Sequence, residues 1–341
     1  VLAGAAVGFG AALFVVSVIN HPATLLLGFA LLRTFGSGTL TLTARTLIPQ
    51  WFVRRRGFAF SLLGFGAALS LAAVPAASEA LIGWVGWVGW RSAWRIDALV
   101  IWLVLVPAVI LFVRDRPEDI GQFPDGRPPE PVRDGAIEPV AEVAWTPRQA
   151  ARTRSFWYLL SAGVVPSLVV TGLSFNQVSI FTSRGMSSTL AATTFTVESA
   201  VALPVSLLCG WLVDRYPSRY VLAASQLSLA VAMIWLLVAD TVWLAVLYAV
   251  FRGASSGLWN VAADVTWPAY FGRRYLGSIR SVTFAVGIAG AAIGPLPFGI
   301  VYDTLGSYDY AIAGLLVLPA LSTLAAARAV PPRTSPVATV A

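Results

Sequence analysis

Charged residues, cysteine and histidine are scarce in this chain of 341 residues. Only 11% of the residues are charged and 57% are hydrophobic, with a mean hydropathy of +0.77, whereas globular domains average about 25% charged residues. A water-soluble domain is therefore excluded. The single cysteine, Cys209, excludes an intrachain disulfide framework, and the single histidine, His21, excludes a histidine-rich metal site. One histidine and one cysteine also leave no Ser-His-Asp or Cys-His catalytic set.

Lysine is absent, so all 23 basic residues are arginine, and the phosphate-binding pattern G-x-x-x-x-G-K-[ST] does not occur. We therefore expect no enzyme activity and no cofactor, and we expect any transport to be driven by gradients. The net charge of +7 is compatible with nucleic-acid binding. However, the arginines fall in loops between apolar runs, which indicates membrane orientation and no nucleic-acid partner.

Apolar runs of the length needed to cross a bilayer, about 17–25 residues as a helix, recur along the whole chain. We predict an all-α polytopic membrane protein that lies in the lipid bilayer as a monomer. Runs bounded by turn residues give ten candidate spans. They lie near 1–19, 24–48, 57–79, 95–113, 155–182, 188–209, 219–238, 241–265, 277–301 and 308–330.

One long polar segment, 114–154, is rich in Pro, Asp, Glu and Arg. We expect it to be a linker between an N-terminal bundle of four spans at 1–113 and a six-helix bundle at 155–330, which a tail at 331–341 follows. Arginine is concentrated in alternate loops, and these include the linker and the tail. By the positive-inside rule we expect those loops to be cytoplasmic, in a protein of the cell membrane, either a plasma membrane or an inner membrane.

A repeat relates the two halves at a spacing of 219 residues. The segment ALLRTFGSGTLTLTARTLIPQWFVRR at 30–55 aligns without gaps with AVFRGASSGLWNVAADVTWPAYFGRR at 249–274. The identities include rare Arg, Pro and Gly positions, which chance similarity of apolar segments would not match. Residues 155–219 have no counterpart in the first half. We therefore expect a chain that lacks the first two of twelve spans; the alternative is a natural ten-span protein with unequal halves.

These features resemble the major facilitator superfamily over essentially the whole chain. The loop GWLVDRYPSR is similar to that superfamily's G-x-x-x-D-R-x-G-R-R loop, although it departs from the pattern at Pro217 and Ser218. The phrases PQWFVRRRG, GWRSAW and RPEDIGQFPDG further resemble bacterial members near the monocarboxylate and oxalate–formate porters. The resemblance implies two pseudo-two-fold-related bundles that rock around a substrate site at mid-membrane. The loop residues that match are Gly210, Asp214, Arg215 and Arg219.

Two polar stripes with four-residue spacing mark the candidate substrate cavity. Residues four apart stay on one slowly turning helix face, and an arginine at mid-membrane costs about 2.5–3.5 kcal/mol on insertion scales unless it has a cavity or a partner. The resemblance implies that the stripes lie on the fourth and tenth of twelve helices, which line the cavity. We predict that Arg252 contacts an anionic substrate; the alternative is that Arg33 and Arg252 cap helix ends or snorkel. The stripes are Arg33, Ser37, Thr41 and Arg45, and Arg252, Ser256, Asn260 and Asp264.

Three further polar residues lie within predicted spans. Glu198 is the candidate for a coupling proton, unless a structural arginine neutralises it. Asn176 and Gln177 are polar enough to reach substrate, but amides also serve as interhelix hydrogen-bond donors. Arg45 and Asp264, at equivalent repeat positions, are a candidate gate pair. The predicted cytoplasmic gate and loop residues are Arg45, Arg54, Arg55, Gly210, Asp214, Arg215, Arg219, Asp264, Arg273 and Arg274.

Three functions fit this pattern. The first is a secondary transporter, a symporter or antiporter, for a small organic anion such as a monocarboxylate, because two guanidinium groups match carboxylates. The second is an efflux porter for hydrophobic drugs, for which the aromatic content of 12% is a weak indication. The third is a non-transporting sensor or scaffold on the same fold, which would have no need of the polar stripes.

Overall fold

A computed structural model describes residues 1–52, 55–66, 70, 89–114, 117–126 and 144–332. Every regular element in these ranges is helical, which confirms the predicted all-α class. Eight of the described helices are long and apolar enough to cross a membrane, and the apolar helix Leu2–Ser17 is shorter. The span predicted at 57–79 is helical over 56–66 and at residue 70, and its other residues lie outside the described ranges.

The main helices follow the predicted spans closely. We number them α1 (Leu2–Ser17), α2 (Pro22–Trp51), α3 (56–66), α4 (Trp90–Phe112), α5 (Arg154–Ser183), α6 (Ser188–Arg215), α7 (Ser218–Leu237), α8 (Val242–Phe271), α9 (Leu276–Leu305) and α10 (Asp309–Arg328). In the segment predicted as an irregular linker, the described residues form short helical turns. These turns are Pro117–Ile120, Pro124–Gly126 and Pro147–Ala151.

Local sequence explains several of the helix ends. The Ser187 hydroxyl accepts a hydrogen bond from the Leu190 amide at 3.1 Å, which satisfies one of the unpaired donors at the start of α6. Glycines follow the C-terminal ends of α8 and α9. Gly272 after α8 has a φ of +76°, and Gly306 after α9 has a φ of +71°. Glycine adopts a positive φ at little cost, so both helices end where the sequence supplies a glycine.

The helices form two compact units. One comprises the described residues of Val1–Val53 and Gly66–Glu130, and the other those of Arg54–Phe65 and Pro131–Ala341. In the first unit, α1 packs against α2 and α4. Small residues permit close approach there, since the Phe35 ring lies over Gly8 and the Phe9 ring over Gly36. The helix α2 is also wound as a π-helix over Arg33–Leu40.

In the second unit, α8 packs between α6 and α7, and α5 packs against α9 and α10. Its apolar core includes fully buried Phe181, Met233 and Phe298. The helices α5 and α9 approach closely because neither Gly172 nor Gly294 has a side chain, and a Cβ on Gly172 would lie 2.5 Å from the Gly294 carbonyl oxygen. The same point interrupts α9, since its two helical segments meet at Gly294.

A proline inside α5 creates a special hydrogen-bond site in this unit. Pro166 has no N–H, so it cannot donate to the carbonyl oxygen of Ala162 one turn earlier. Two side chains from other helices occupy that oxygen instead. The Trp259 indole N–H donates to it at 2.8 Å and the Gln226 amide N–H at 3.2 Å. The helices α7 and α8 are therefore tied to α5 where its own ladder is broken.

Candidate functional site

Arg252 lies inside the second unit with only 2% of its surface exposed. Its Nη1 donates to the Tyr248 hydroxyl at 2.7 Å and to Gln177 Oε1, and its Nη2 donates to Ser174 Oγ. On the other edge of the guanidinium, Nε lies 3.2 Å from Glu198 Oε2. The arginine and the glutamate therefore form a buried ion pair, and polar side chains surround the rest of the guanidinium.

Each of three helices contributes two polar side chains separated by one turn. Such residues lie on the same helix face, so each pair points in one direction from an otherwise apolar span. The three faces converge on one point inside the unit. The pairs are Ser174 and Gln177 on α5, Thr194 and Glu198 on α6, and Tyr248 and Arg252 on α8.

The hydrogen bonds of Gln177 explain how its amide is oriented. Its nitrogen donates to Thr194 Oγ1 at 2.6 Å and to the Ala191 carbonyl oxygen at 3.2 Å. Its oxygen is thereby left facing Arg252 and also accepts from the Tyr248 hydroxyl at 3.2 Å. Gln177 is therefore placed as an interhelix hydrogen-bonding residue. The neighbouring Asn176 instead donates to the Gly172 carbonyl oxygen of its own helix at 2.9 Å.

The guanidinium of Arg252 has few donors left for a ligand. Arginine carries five N–H groups, and its contacts with Ser174, Gln177, Tyr248 and Glu198 occupy most of them. The ring of Phe195 also lies beside the guanidinium, 5.4 Å from its carbon. A substrate carboxylate that bound both edges would have to displace these groups. Direct contact between Arg252 and a substrate stays a prediction, and the structure supplies the partner that neutralises the charge.

Arg33, at the equivalent repeat position, has very different surroundings. Its side chain is exposed, and no hydrogen bond or ion pair involves its guanidinium within the described part of the first unit. It begins the π-helical segment of α2, where the wider turn lets Thr41 Oγ1 donate to the Gly36 carbonyl oxygen five residues earlier. Such segments often occur at functional sites. Ser37 is exposed in the same segment.

The residues of the predicted polar stripe on α8 lie in different surroundings. Ser256 donates to the Gly253 carbonyl oxygen at 3.1 Å, Asn260 is exposed, and Asp264 is buried and forms an ion pair with Arg280 of α9. A spacing of four residues turns by about 40° at each step on a helix of 3.6 residues per turn. From Arg252 to Asp264 the stripe therefore turns by about 120°, and its two ends face α6 and α9.

The segment predicted as a loop from Gly210 is helical as far as Arg215, and this end of α6 contacts the start of α3. The two carboxylate oxygens of Asp214 accept hydrogen bonds from the amides of Gly57 at 2.9 Å and Phe58 at 3.3 Å, which caps that helix. A Cβ on Gly210 would lie 2.8 Å from the Gly57 carbonyl oxygen, so this contact requires glycine. Arg215 stacks on the ring of Trp211 with 4.2 Å between the guanidinium carbon and the ring centre.

The other predicted loop arginines are distributed over the surface. Arg219 stacks on Tyr220 and Arg274 on Tyr275, whereas Arg55 is exposed at the start of α3. Arg45 and Arg273 are half-buried, and Arg54 lies outside the described residues. The gate pair of Arg45 with Asp264 stays a prediction.

Sequence reasoning missed Ser174, Thr194, Tyr248 and Arg280. The first three were detectable, because each lies one turn from a polar residue that the sequence did single out: Gln177, Glu198 or Arg252. Arg280 follows a loop in which arginine already had a topological explanation. Within the described ranges, no cluster of His, Cys, Asp and Glu has a geometry that suits a metal ion.

Comparisons with known proteins agree with this architecture. The family model described as Major Facilitator Superfamily matches residues 1–182 and 167–340. The solved structure of the proton:xylose symporter XylE, bound to 6-bromo-6-deoxy-D-glucose, superposes with a TM-score of 0.68 at 14% identity, over 95% of this chain and 78% of that chain. The fucose:proton symporter FucP of E. coli superposes with a TM-score of 0.65 at 15% identity, over 95% of this chain and 82% of that one. Identities this low show a shared fold alone. No curated protein matches.

Proposed function

Because the chain belongs to the Major Facilitator Superfamily, we propose that it is a secondary transporter that carries a small organic anion, such as a monocarboxylate, by alternating access. Membership makes it a membrane transporter and not an enzyme. Within this role, we assign anion recognition to Arg33 and proton coupling to the pair of Glu198 and Arg252. The observation that supports this division is that the guanidinium of Arg252 pairs with its own chain, whereas that of Arg33 has no partner among the described residues.

The argument for Arg33 starts from its donors. An arginine within a membrane span is costly unless it faces water or an anion, and the described residues offer this one no protein partner. All five of its N–H groups are therefore available, and its planar fork matches a carboxylate through two parallel hydrogen bonds. A hydrophobic drug would not use such a group. The solved relatives carry sugars with protons, but a sugar would not require an unpaired cation either.

The argument for Glu198 starts from its ion pair with Arg252. Its carboxylate lies 3.2 Å from Arg252 and keeps 15% of its surface exposed, more than the arginine has. A proton that reached it would cancel the attraction to Arg252 and break a buried ion pair. Removing one partner of such a pair costs about 3–5 kcal/mol in proteins. Protonation at Glu198 is thus a perturbation large enough to shift a two-state conformational equilibrium.

We propose the cell membrane as the location, with the linker and the C-terminus on the cytoplasmic side. Three arginines lie at helix ends that this orientation places outside, Arg91 and Arg95 at the start of α4 and Arg184 directly after α5, and each has a structural role. Arg91 donates to the Ile19 carbonyl oxygen at 2.8 Å, Arg95 lies 3.4 Å from Ser17 Oγ, and Arg184 donates to the Ala239 carbonyl oxygen at 3.3 Å. These exceptions to the charge bias therefore have local explanations, which supports the assignment.

The proposal is tested in proteoliposomes with radiolabelled formate, oxalate, L-lactate and pyruvate. We expect Arg33→Ala to weaken affinity for the transported anion by about ten- to a hundredfold, the value of one charge-assisted contact. Arg33→Lys should fall between the wild type and the alanine variant, because it keeps the charge and loses the fork. Arg148→Ala is the matched control, since it removes an exposed arginine outside the spans. Unchanged affinity of Arg33→Ala for every anion tried would refute the organic-anion proposal.

Coupling is tested separately with Glu198→Gln. This variant keeps the size of the side chain and cannot lose a proton, so we expect proton-driven accumulation to disappear. Exchange of labelled for unlabelled anion should continue, because it requires no net proton movement. Accumulation that stayed proportional to the pH gradient in Glu198→Gln would exclude Glu198 as the coupling site, whatever the result for Arg33.

A further inference from the structure

The helices α6 and α8 are in backbone contact beside the buried ion pair. An ideal Cβ at Gly253 would lie 2.5 Å from the carbonyl oxygen of Glu198 and 3.0 Å from the Cβ of Val201. The first distance is about 0.9 Å shorter than the 3.4 Å at which ordinary contact begins. The obstacle is a carbonyl oxygen of a helix and cannot rotate away as a side chain does. Any side chain at position 253 would therefore move α6 away from α8.

This contact and the ion pair involve the same residues. Gly253 directly follows Arg252 on α8, and the atom it touches is the backbone carbonyl oxygen of Glu198 on α6. Arg252 Nε and Glu198 Oε2 are 3.2 Å apart, so the contact is an ion pair, and the Nε–H has no hydrogen-bond acceptor among the described residues. A displacement of α6 by about 0.9 Å would remove the contact unless the side chains rearranged.

We propose that Gly253 is a positioning residue for proton coupling, because its missing side chain lets Glu198 reach Arg252. The inference rests on the proposed coupling function of that pair. Gly253 itself touches neither a proton nor a substrate; it sets the separation of two helices at the height of the carboxylate. The ionisable side chains around Glu198 in the described unit are Arg252 and Tyr248, both on α8, and α5 adds the uncharged Ser174 and Gln177 to the site.

Gly257 provides a matched control on the same two helices. It lies one turn further along α8, and a Cβ there would be 2.7 Å from the Ala202 carbonyl oxygen and 3.0 Å from Val205. Alanine at this position therefore creates a clash similar to that at Gly253. Ser206 Oγ also donates to the Gly257 carbonyl oxygen at 3.2 Å, and the residues it touches carry no charge. A purely structural effect of separating the helices should appear in both variants.

The test compares Gly253→Ala, Gly257→Ala and Glu198→Asp in proteoliposomes, using the anion of the formate, oxalate, L-lactate and pyruvate panel that the wild type carries. Glu198→Asp shortens the acidic side chain by one methylene and so lengthens the ion pair without moving a helix. We expect Gly253→Ala and Glu198→Asp to lose about ten- to a hundredfold of proton-driven accumulation, the value of a charge-assisted contact. Both should change the pH profile of uptake in the same direction, and both should retain anion exchange.

Gly257→Ala should lose thermal stability to a similar extent and keep the wild-type pH profile. In a Glu198→Gln background, Gly253→Ala should have no further effect on the pH profile, because the carboxylate through which it acts is gone. The inference is overturned if Gly253→Ala and Gly257→Ala behave alike, or if Gly253→Ala changes the profile without Glu198. If Glu198→Gln leaves proton-driven accumulation intact, the assignment of coupling to Glu198 is wrong. This result distinguishes a failure of the proposed function from a failure of the inference about Gly253 alone.

Discussion

Replacing Gln226 with leucine and Trp259 with phenylalanine together should destabilise the protein by more than the sum of the two single changes. Both side chains donate to the Ala162 carbonyl oxygen, at 3.2 Å and 2.8 Å. Pro166 cannot supply the normal helical N–H to this oxygen. Each single variant leaves one donor in place. The double variant leaves a buried carbonyl without one.

The expected magnitude follows from these contacts. An interhelix hydrogen bond in a membrane protein contributes about 0.6 kcal/mol on average. Each single variant should lose about that much free energy of unfolding, and Trp259→Phe should lose more because its smaller ring also reduces packing. A buried acceptor without any partner costs about 1–3 kcal/mol. We therefore expect a coupling energy of about 1–2 kcal/mol between the two sites, within the range for residues that share a network.

The measurement is reversible unfolding by SDS in mixed micelles, followed by circular dichroism because the Trp259→Phe single variant and the double variant both lack a tryptophan. Pro166→Ala provides the decisive control. It restores an N–H one turn after Ala162, so the coupling between Gln226→Leu and Trp259→Phe should disappear in that background. Strict additivity of the two changes in the protein with Pro166 would refute the reasoning. So would a coupling energy that persisted unchanged with Ala at position 166.

Two further predictions concern α3 and the topology. Gly57→Ala should destabilise the protein by about 1–3 kcal/mol through overpacking, since its Cβ would collide with the Gly210 carbonyl oxygen. The neutral control in thermal unfolding is Gly64→Ala, where a Cβ meets nothing within 4 Å, and equal melting temperatures of the two variants would contradict the prediction. In a variant without the native cysteine, cysteines introduced at Ser92 and Arg127 should react with impermeant maleimides from opposite sides of the membrane; labelling from the same side would contradict the proposed orientation.

Much of the fold could be predicted from local sequence. The length of each apolar run determines whether it can cross a bilayer, and this property requires no knowledge of neighbours. The spans predicted at 155–182 and 188–209, for example, correspond to Arg154–Ser183 and Ser188–Arg215. The all-α class is confirmed for the described residues, and the major facilitator fold is confirmed by the family model and the solved relatives. The loop with Asp214 contributed to that identification.

The candidate site was only partly predictable for a physical reason. Arg33 and Arg252 are equivalent in the repeat, in ALLRTFGSG and AVFRGASSG, so their own sequences could not distinguish them. The difference comes from Gln177 and Glu198, which lie in 155–219, the part of the second half without an aligned counterpart. The sequence identified Gln177 and Glu198 as polar residues within predicted spans, but it did not show that they lie beside Arg252.

Which side chain pairs with which depends on how helices distant in sequence pack together. Four-residue spacing predicted one polar face on α8, yet the slow turn of that face brings Arg252 to α6 and Asp264 to α9, where Arg280 lies. The close approach of α6 at Gly253 is likewise invisible until both backbones are in place. The sequence by itself determined the spans and the repeat, because these depend on local hydrophobicity and periodicity, and its motifs indicated the family by resemblance. Only the tertiary structure decided which charge is satisfied, because the partners of a buried charge come from other helices.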